Sequence, residues 1–592
     1  MAKIYSVKQK INWVLVLLIL FSAFTVRFFR LDKVPASLFY DEIDLGYQVR
    51  SLLSTGKDYR NTASPFFFRS MNTDKTPFPI YFSAIPSLLF KSPAYQVRAG
   101  AALAGVISLV LAMILAYQLT GKKLASLVTG LVFSFSPWQI QFSRIAFEAI
   151  FMQMVFLASI STFLFWRAFK KPWLFFLSAI LLGLNVYTYR IMSLFAPLTV
   201  LLLFATSFKE IIKEGWLKVS IWFFLIGVMI LPFLYSTTIA SVDQPRINQI
   251  SIFSDPMIPI TVQRHREVDS NDYANPQIGK HPVLFSYFFH NKVVSYMAAF
   301  GTNYYKNFST EFLFLKGDPN GRHSPDKTGV LLSIDIIGLV AGLVFVIKNL
   351  KDKKFQLLLA LLFLAPIPSD LTIDGATHAS RLMIMSGPLL IIVSLGYASI
   401  ISLLAKEKKY WLGIPLLFLT WLLVVVFYFD QYFIHYPIES SRQFGYGYKE
   451  AINIILEVKN QYKKVRLTGS NDPSMLYYLY WSNTSPKAVQ NYGVEFGETT
   501  IKGEPLDFVK PIYFSEKQCE PKEIEKLDAQ TIYLATYGNL PLDFRNSKDK
   551  VPTGVKLIDV IKYPDNEVAY YLITRDTKNG VSVMPSKASE CK

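Results

Sequence analysis

Residues 76–90 read TPFPIYFSAIPSLLF, apolar almost throughout but only fifteen residues long and interrupted by Pro77, Pro79 and Pro86. A helix that crosses the hydrocarbon core takes about 20 apolar residues, so this segment is short for a span. Its reading decides the topology, because counting it as a crossing moves every later loop to the other side of a membrane. The basic residues arbitrate, since short cytoplasmic loops carry the Lys/Arg excess. With 76–90 in the headgroup plane, Lys122, Lys123, Arg167, Lys170, Lys171, Lys209, Lys213, Lys218, Lys348, Lys351, Lys353, Lys354, Lys406, Lys408 and Lys409 share a side with Lys3, Lys8 and Lys10 of the N-terminus. Only Arg144, Arg190 and Arg381 mark the short loops opposite. The segment is therefore predicted as a proline-interrupted interfacial helix.

Working outward, eleven apolar stretches read as crossings: 11–29, 96–118, 123–141, 146–167, 172–188, 191–208, 218–236, 330–348, 355–369, 381–404 and 410–429. The first has no small-residue cleavage site and is too long for a signal-peptide core, so it is expected to stay as an anchor. The N-terminus is then cytoplasmic, and three long polar segments, 30–95, 237–329 and 430–592, lie outside. The expected architecture is a polytopic α-helical membrane domain over 1–430 with two large outer loops, followed by an extracytoplasmic domain over 431–592. Composition agrees: 52% of the 592 residues are hydrophobic and 18% charged, which excludes an ordinary soluble protein. The net charge of +18 follows largely from membrane orientation, and no soluble segment carries a basic stripe with interleaved aromatics, so nucleic acid is not an expected partner.

Beyond residue 430 the pattern alternates helix-like and strand-like runs: helices at 446–460 and 473–482, strands at 464–470, 510–515 and 531–537, and a hairpin of 554–562 with 567–574 turned by Pro564, Asp565 and Asn566. This predicts a small α/β domain. Cys519 and Cys591 either pair or remain free thiols, and free thiols are the simpler expectation.

The chemistry is sought at the outer rim. Asp41, Glu42 and Asp44 follow the first span directly, and three carboxylates within four residues are costly there unless solvated, paired or used. From Asp41 the chain reads as an amphipathic helix with Leu45, Val49, Leu52 and Leu53 on one face and Gly56 as its stop. Two roles stay open for Asp41: a functional acid, or an N-cap with Asp44 three residues on. Lys75 precedes the interfacial helix at headgroup depth, suited either to a lipid phosphate or to snorkelling. Arg144 and Glu148 are four apart and read as one helical face, an ion pair being the plain alternative. Arg190, His378 and Arg381 lie at outer span ends; Arg264, Arg266, Asp318, Arg322 and His323 lie in the second outer loop. So many outward cations suggest an anionic lipid headgroup. The six histidines are dispersed, so no sequence-local metal site is expected, and no P-loop, GxGxxG, HExxH, CxxC pair or GxSxG occurs.

YDEIDLGYQVRSLLSTGKDYRN (40–61), with the Lys75 turn, the interfacial helix and the outer-loop stretches THASR (377–381) and FLFLKGDPNGRH (312–323), resembles the GT-C membrane glycosyltransferases. Within them it is most similar to the protein O-mannosyltransferase and aminoarabinose transferase group. The resemblance implies a GT-C fold and transfer of a sugar from a polyprenyl-phosphate carrier. It places Asp41 as the catalytic carboxylate, Glu42 as the second acid of the pair and Lys75 on the carrier phosphate. Glu148 falls where related enzymes place another outer-loop acid, often Asp. Arg264, Arg266 and Arg381 are positional candidates for the phosphate; Arg144, Arg322, His323 and His378 are candidates for substrate contact. The C-terminal domain resembles that of the aminoarabinose branch.

The expected reaction is direct, inverting transfer to a hydroxyl on a protein, lipid or polysaccharide, with Asp41 as general base and no required cofactor. A divalent metal is compatible but not demanded. A lipid or solute transporter is the alternative; its ionisable sites would sit near the bilayer midplane, whereas here the spans are nearly free of charge in their centres, apart from Asp335 near one end, and the polar residues collect at the outer rim.

Overall fold

Prolines open several helices at their first turn, where a fixed φ and a missing N–H cost nothing. The computed structural model describes residues 13–63, 65–70, 74–238, 249–270, 284–462, 464–467, 474–492, 506–508, 529–536 and 554–576. Its first ten helices are α1 (Trp13–Phe28), α2 (Tyr40–Thr55), α3 (Pro77–Ser87), α4 (Pro93–Thr120), α5 (Lys123–Phe135), α6 (Pro137–Arg144), α7 (Glu148–Phe169), α8 (Pro172–Leu184), α9 (Met192–Ile212) and α10 (Trp216–Thr238). Among the described residues six helices are long and apolar enough to cross a membrane, namely α4, α7, α9, Trp216–Tyr235 of α10, Met383–Lys406 and Tyr410–Glu439, while α1, α5 and Pro172–Tyr187 are apolar but shorter. The protein is thus a mostly helical, multi-pass membrane protein, as the apolar pattern implied.

Several predicted spans come out shorter than their apolar stretches. The 123–141 run breaks at Ser136, before Pro137, into α5 and α6. The 330–348 run begins its helix only at Asp335, where an Asp335 carboxylate oxygen accepts the Leu332 N–H at 3.2 Å. Val330 and Leu331 are buried not as helix but by backbone bonds to Phe312 (3.2 Å) and Leu313 (2.8 Å). Hydropathy registers such residues as span because it reports burial, not conformation.

The chain forms two compact units. One comprises the described residues up to Phe29, Ala102–Ser143 and Phe147–Phe429. Within it α5 packs against α1, and α8 lies between α7 and α10 with Phe175 stacked on Trp222 at 5.4 Å. Helix Asp335–Lys348 lies along Met383–Lys406. Gly338 and Gly342 form a small-xxx-small face there, and a Cβ on Gly342 would run into the Ile392 carbonyl.

The other unit comprises Arg30–Ala101, Arg144–Ala146 and the chain from Asp430. Its sheet contains β1 (Lys464–Leu467), β2 (Leu506–Phe508), β3 (Thr531–Thr536), β4 (Val555–Lys562) and β5 (Val568–Arg575) in the order β2-β1-β3-β5-β4. β1 is parallel to β2 and β3; β5 is antiparallel to β3 and β4. The predicted hairpin turns where expected, with Asn566 at φ 67° and the Tyr563 N–H bonded to the Glu567 carbonyl at 2.8 Å. β5 is buried nearly end to end, as a strand covered on both faces should be. The predicted strand at 510–515, and both cysteines, lie outside the described residues.

In the same unit the C-terminal helices Ser474–Trp481 and Pro486–Tyr492 seat on α2. Tyr47 donates its hydroxyl to the Thr484 carbonyl at 3.1 Å, and Arg50 bonds the Tyr480 carbonyl at 3.2 Å with its guanidinium 4.7 Å from the Tyr480 ring centre. Gln490 Nε2 reaches Ser51 Oγ, Thr55 Oγ1 and the Asp58 carbonyl at 3.0, 2.9 and 2.8 Å.

Candidate active site

Helix α2 starts one residue before Asp41. Phe39 is its N-cap residue, extended at φ −72° and ψ 159°, and Glu42 at the third helical position accepts the Phe39 N–H at 3.0 Å. Asp41 is therefore not the N-cap that the sequence allowed; the acid that closes the first turn is Glu42. Freed of capping, Asp41 sits in the first turn, where the helix dipole favours negative charge. Gly56 ends the helix as expected, at φ 70° with its N–H on the Leu52 carbonyl. The expected apolar face is only partly buried: Leu45 and Val49 are covered, but Leu53 is exposed.

The three acids have separate surroundings. Glu42 is wholly buried and saturated: Oε1 takes Arg98 Nε (2.7 Å) and the Ala146 N–H (3.1 Å), and Oε2 takes Arg98 Nη2 (2.9 Å) and the Phe39 N–H. Arg98 spends its remaining donors on the carbonyls of Leu31 and Pro35, both at 3.0 Å, and Ser37 at 2.6 Å. Asp44 is also wholly buried and accepts the Tyr59 hydroxyl at 3.1 Å. Burial pushes its carboxyl up to about 6, although Lys75, Ser70 and Tyr59 pull the other way. Asp41 alone keeps solvent access, its side chain 35% exposed, and it pairs directly with Lys75 Nζ.

Lys75 is delivered by backbone. Its N–H and C=O exchange bonds with Phe68 at 2.8 and 3.1 Å, and its ammonium lies 5.3 Å from the Tyr40 ring centre. α3 follows at once, with Thr76 as N-cap and Pro77 at its first turn, so the predicted stretch does form a helix, ending at Ser87.

The other sequence candidates divide. Arg144 is wholly buried in the unit that holds Asp41; its Nη2 bonds the Val34 carbonyl at 2.9 Å, and its guanidinium lies 5.1 Å from the Phe433 ring centre. α6 ends at Arg144 and α7 begins at Glu148, so the two do not lie on one helical face as their spacing suggested. In the other unit Arg264 and Arg266 sit on helix Met257–Ser270, where Arg264 is exposed and Arg266 Nε bonds the His290 carbonyl at 2.7 Å. Arg381 is committed to Asp374 at 2.6 Å and Thr372 Oγ1 at 2.7 Å.

That unit also gathers residues distant in sequence. Asp318 Oδ2 lies 2.6 Å from His323 Nδ1 and accepts the Ala379 N–H at 2.8 Å, while the rings of His323 and His378 are 4.9 Å apart. The Arg322 carbonyl accepts Gln141 Nε2 at 2.6 Å. Burial, with the positive fields of His323 and Arg381, pushes His378 down to about 3. Burial alone would raise the Asp318 carboxyl, but the hydrogen bond and the charge of His323 hold it below the usual range.

Arg98 went unread in the sequence, as did the Asp44–Tyr59 contact. A charged residue at the start of a long apolar run was the available signal for Arg98.

A family model described as dolichyl-phosphate-mannose-protein mannosyltransferase matches residues 17–244, the stretch that contains Asp41, Lys75 and Glu148. Over that stretch the chain resembles the dolichyl-phosphate-mannose-protein mannosyltransferases. No curated protein matches the chain. Among solved structures, ArnT from Cupriavidus metallidurans bound to undecaprenyl phosphate aligns at 11% identity over 97% of this chain and 100% of its own, with a TM-score of 0.49. The oligosaccharyltransferase of Archaeoglobus fulgidus in complex with Zn and sulfate aligns at 11% identity over 94% of this chain and 72% of its own, with a TM-score of 0.45.

Proposed function

We propose that this protein transfers a sugar from a polyprenyl-phosphate carrier to a hydroxyl acceptor at the extracytoplasmic face, with the N-terminus cytoplasmic and the C-terminal domain outside. The acceptor oxygen attacks the anomeric carbon as the bond to phosphate breaks, inverting that centre. The hydroxyl proton passes to Asp41, and the carrier leaves as a phosphate monoester whose charge Lys75 meets. General-base help is worth on the order of 10² to 10⁴ in rate, and a fixed ammonium stabilises the leaving phosphate without a nucleotide.

One observation carries the reading: of the three acids, only Asp41 is both reachable by solvent and held against a lysine. Glu42, with its oxygens already bonded, positions the turn rather than moving protons. Arg144 is buried among carbonyls and supports the same segment. Lys75 exchanges Asp41 for the donor phosphate when the carrier binds, which leaves Asp41 free to take a proton.

The test uses purified protein with a panel of polyprenyl-phosphate sugars, the bound donor being identified by mass spectrometry. Asp41→Asn should lower turnover by about 10² to 10⁴ while donor affinity persists. Lys75→Ala should weaken donor affinity. Unchanged turnover in Asp41→Asn removes Asp41 from the chemistry, and unaltered affinity in Lys75→Ala removes the phosphate role.

A further inference from the structure

Asp318, His323 and His378 each offer one ligand atom, and these three atoms all lie within 4.8 Å of one another. Two imidazole nitrogens and one carboxylate oxygen form a donor set of the borderline kind that suits zinc, cobalt or nickel better than magnesium or calcium. From this cluster we infer that Asp318, His323 and His378 bind one borderline divalent metal ion, with Zn2+ as the first candidate.

The frame is set before any ion arrives. Asp318 and His323 are the ends of a turn closed on itself: Asp318 Oδ1 accepts the Asn320 N–H at 2.8 Å, Asn320 Oδ1 accepts the Arg322 N–H at 3.1 Å, and the His323 N–H bonds the Asn320 carbonyl at 2.8 Å. Ser324 ties the base of the turn by accepting the Asp318 N–H at 3.0 Å and donating to the Asp318 carbonyl at 2.9 Å. His378 comes from a different segment, and the next residue, Ala379, donates its N–H to Asp318 Oδ2. That backbone bond is the outer support that metal-ligating carboxylates characteristically have.

Distances allow the ion with little movement. Ligand atoms about 2.0–2.1 Å from a tetrahedral metal are about 3.3 Å apart, so the 2.6 Å contact between His323 Nδ1 and Asp318 Oδ2 opens by under 1 Å as the ion replaces the shared proton. His378 Nδ1 is lightly engaged, its contact with the Arg381 N–H being 3.4 Å. The neighbouring Arg381 cation is neutralised by Asp374, at 2.6 Å, so it is not an unbalanced charge beside a dication. Three protein ligands leave a fourth position for water or an anionic oxygen. The site stands on its own residues, and its existence does not depend on the role of Asp41.

The experiment takes the full chain in detergent, strips it with a chelator, and titrates it with Co2+ while recording the visible absorption of the bound ion, followed by Zn2+ competition and a metal count by mass spectrometry. One ion per chain is expected. His378→Asn and Asp318→Asn should each bind about 100-fold more weakly or worse, since even outer-shell changes cost 10–100-fold. His435→Ala, at an exposed histidine outside the cluster, should bind like the unmodified chain. Asp318→Asn also disturbs the turn, so His378→Asn carries the decision: unmodified affinity in that variant overturns the site. So does a stripped wild-type chain that takes up less than one ion at micromolar free metal, the reading in which Asp318 and His323 are only an ion pair.

Discussion

The carboxylate of Glu42 and the guanidinium of Arg98 face each other in a two-pronged ion pair that solvent does not reach, with Nε to Oε1 at 2.7 Å and Nη2 to Oε2 at 2.9 Å. Such a pair contributes little net stability against an apolar pair of the same volume, but either member alone is a buried charge without its partner. Arg98→Met should therefore destabilise the protein by about 3–5 kcal/mol, and Arg98→Met with Glu42→Leu should recover part of that. Thermal unfolding in detergent reads both. Recovery of fold without recovery of turnover in the double variant is expected, because the helix start that aims Asp41 is still lost.

Asp44 lies one turn further along α2 and makes a separate prediction. Its carboxyl rises from 3.8 in the unfolded chain to about 6 in the fold because burial disfavours the anion. The native state therefore binds this proton more tightly, so the contribution is fully present below pH 3.8 and is lost as pH rises through 6. The rise is equivalent to about 3 kcal/mol. Stability measured from pH 5 to pH 8 should fall in the wild type through this group and fall less in Asp44→Asn, which has no charge to bury. Identical slopes for the two chains would show that Asp44 does not titrate in this range.

Asp41 and Lys75 behave differently because water reaches the pair. Screening limits a pair of this kind to about 1 kcal/mol of stability at most, so Asp41→Asn and Lys75→Met should each leave unfolding nearly unchanged. In turnover the two should not add, since one group takes the proton and the other meets the phosphate within a single step. A double-mutant cycle on kcat checks this, and strict additivity would argue that the two act in separate steps.

What the sequence revealed here depended on local signals. Asp41, Lys75 and the helix over 77–87 were legible because each lies beside a proline, a span end or a run of acids. The roles within the acid run were not, since nothing in YDEID distinguishes Glu42, which meets an arginine 56 residues away, from Asp41, which meets a lysine 34 residues away. The same holds for Asp318 and His378, drawn together by a fold that brings Asp318 to a hydrogen bond with Ala379, 61 residues away. The hairpin of β4 and β5 was read correctly for the opposite reason, its contacts being short-range.

The seat of the C-terminal helices on α2 also escaped the sequence, and it rests on a glycine. A Cβ on Gly46 would come within 2.6 Å of a Val97 methyl and 2.9 Å of the Tyr480 ring, so no larger residue fits while Tyr480 stays against the helix. Tyr480 is nearly unexposed and donates its hydroxyl to the Pro93 carbonyl at 3.1 Å, and the ring cannot withdraw without breaking that bond. Gly46→Leu should therefore overpack this contact and destabilise by about 1–3 kcal/mol. Because Gly46 lies five residues after Asp41 on one rigid helix, the same substitution should lower turnover although it touches no reacting group. Gln490→Ala removes a contact near the far end of that helix and should cost about 1 kcal/mol with a smaller loss of turnover. Measuring kcat beside thermal unfolding for both variants separates the effects: if Gly46→Leu loses stability but keeps full turnover, the seat holds the C-terminal domain without aiming Asp41.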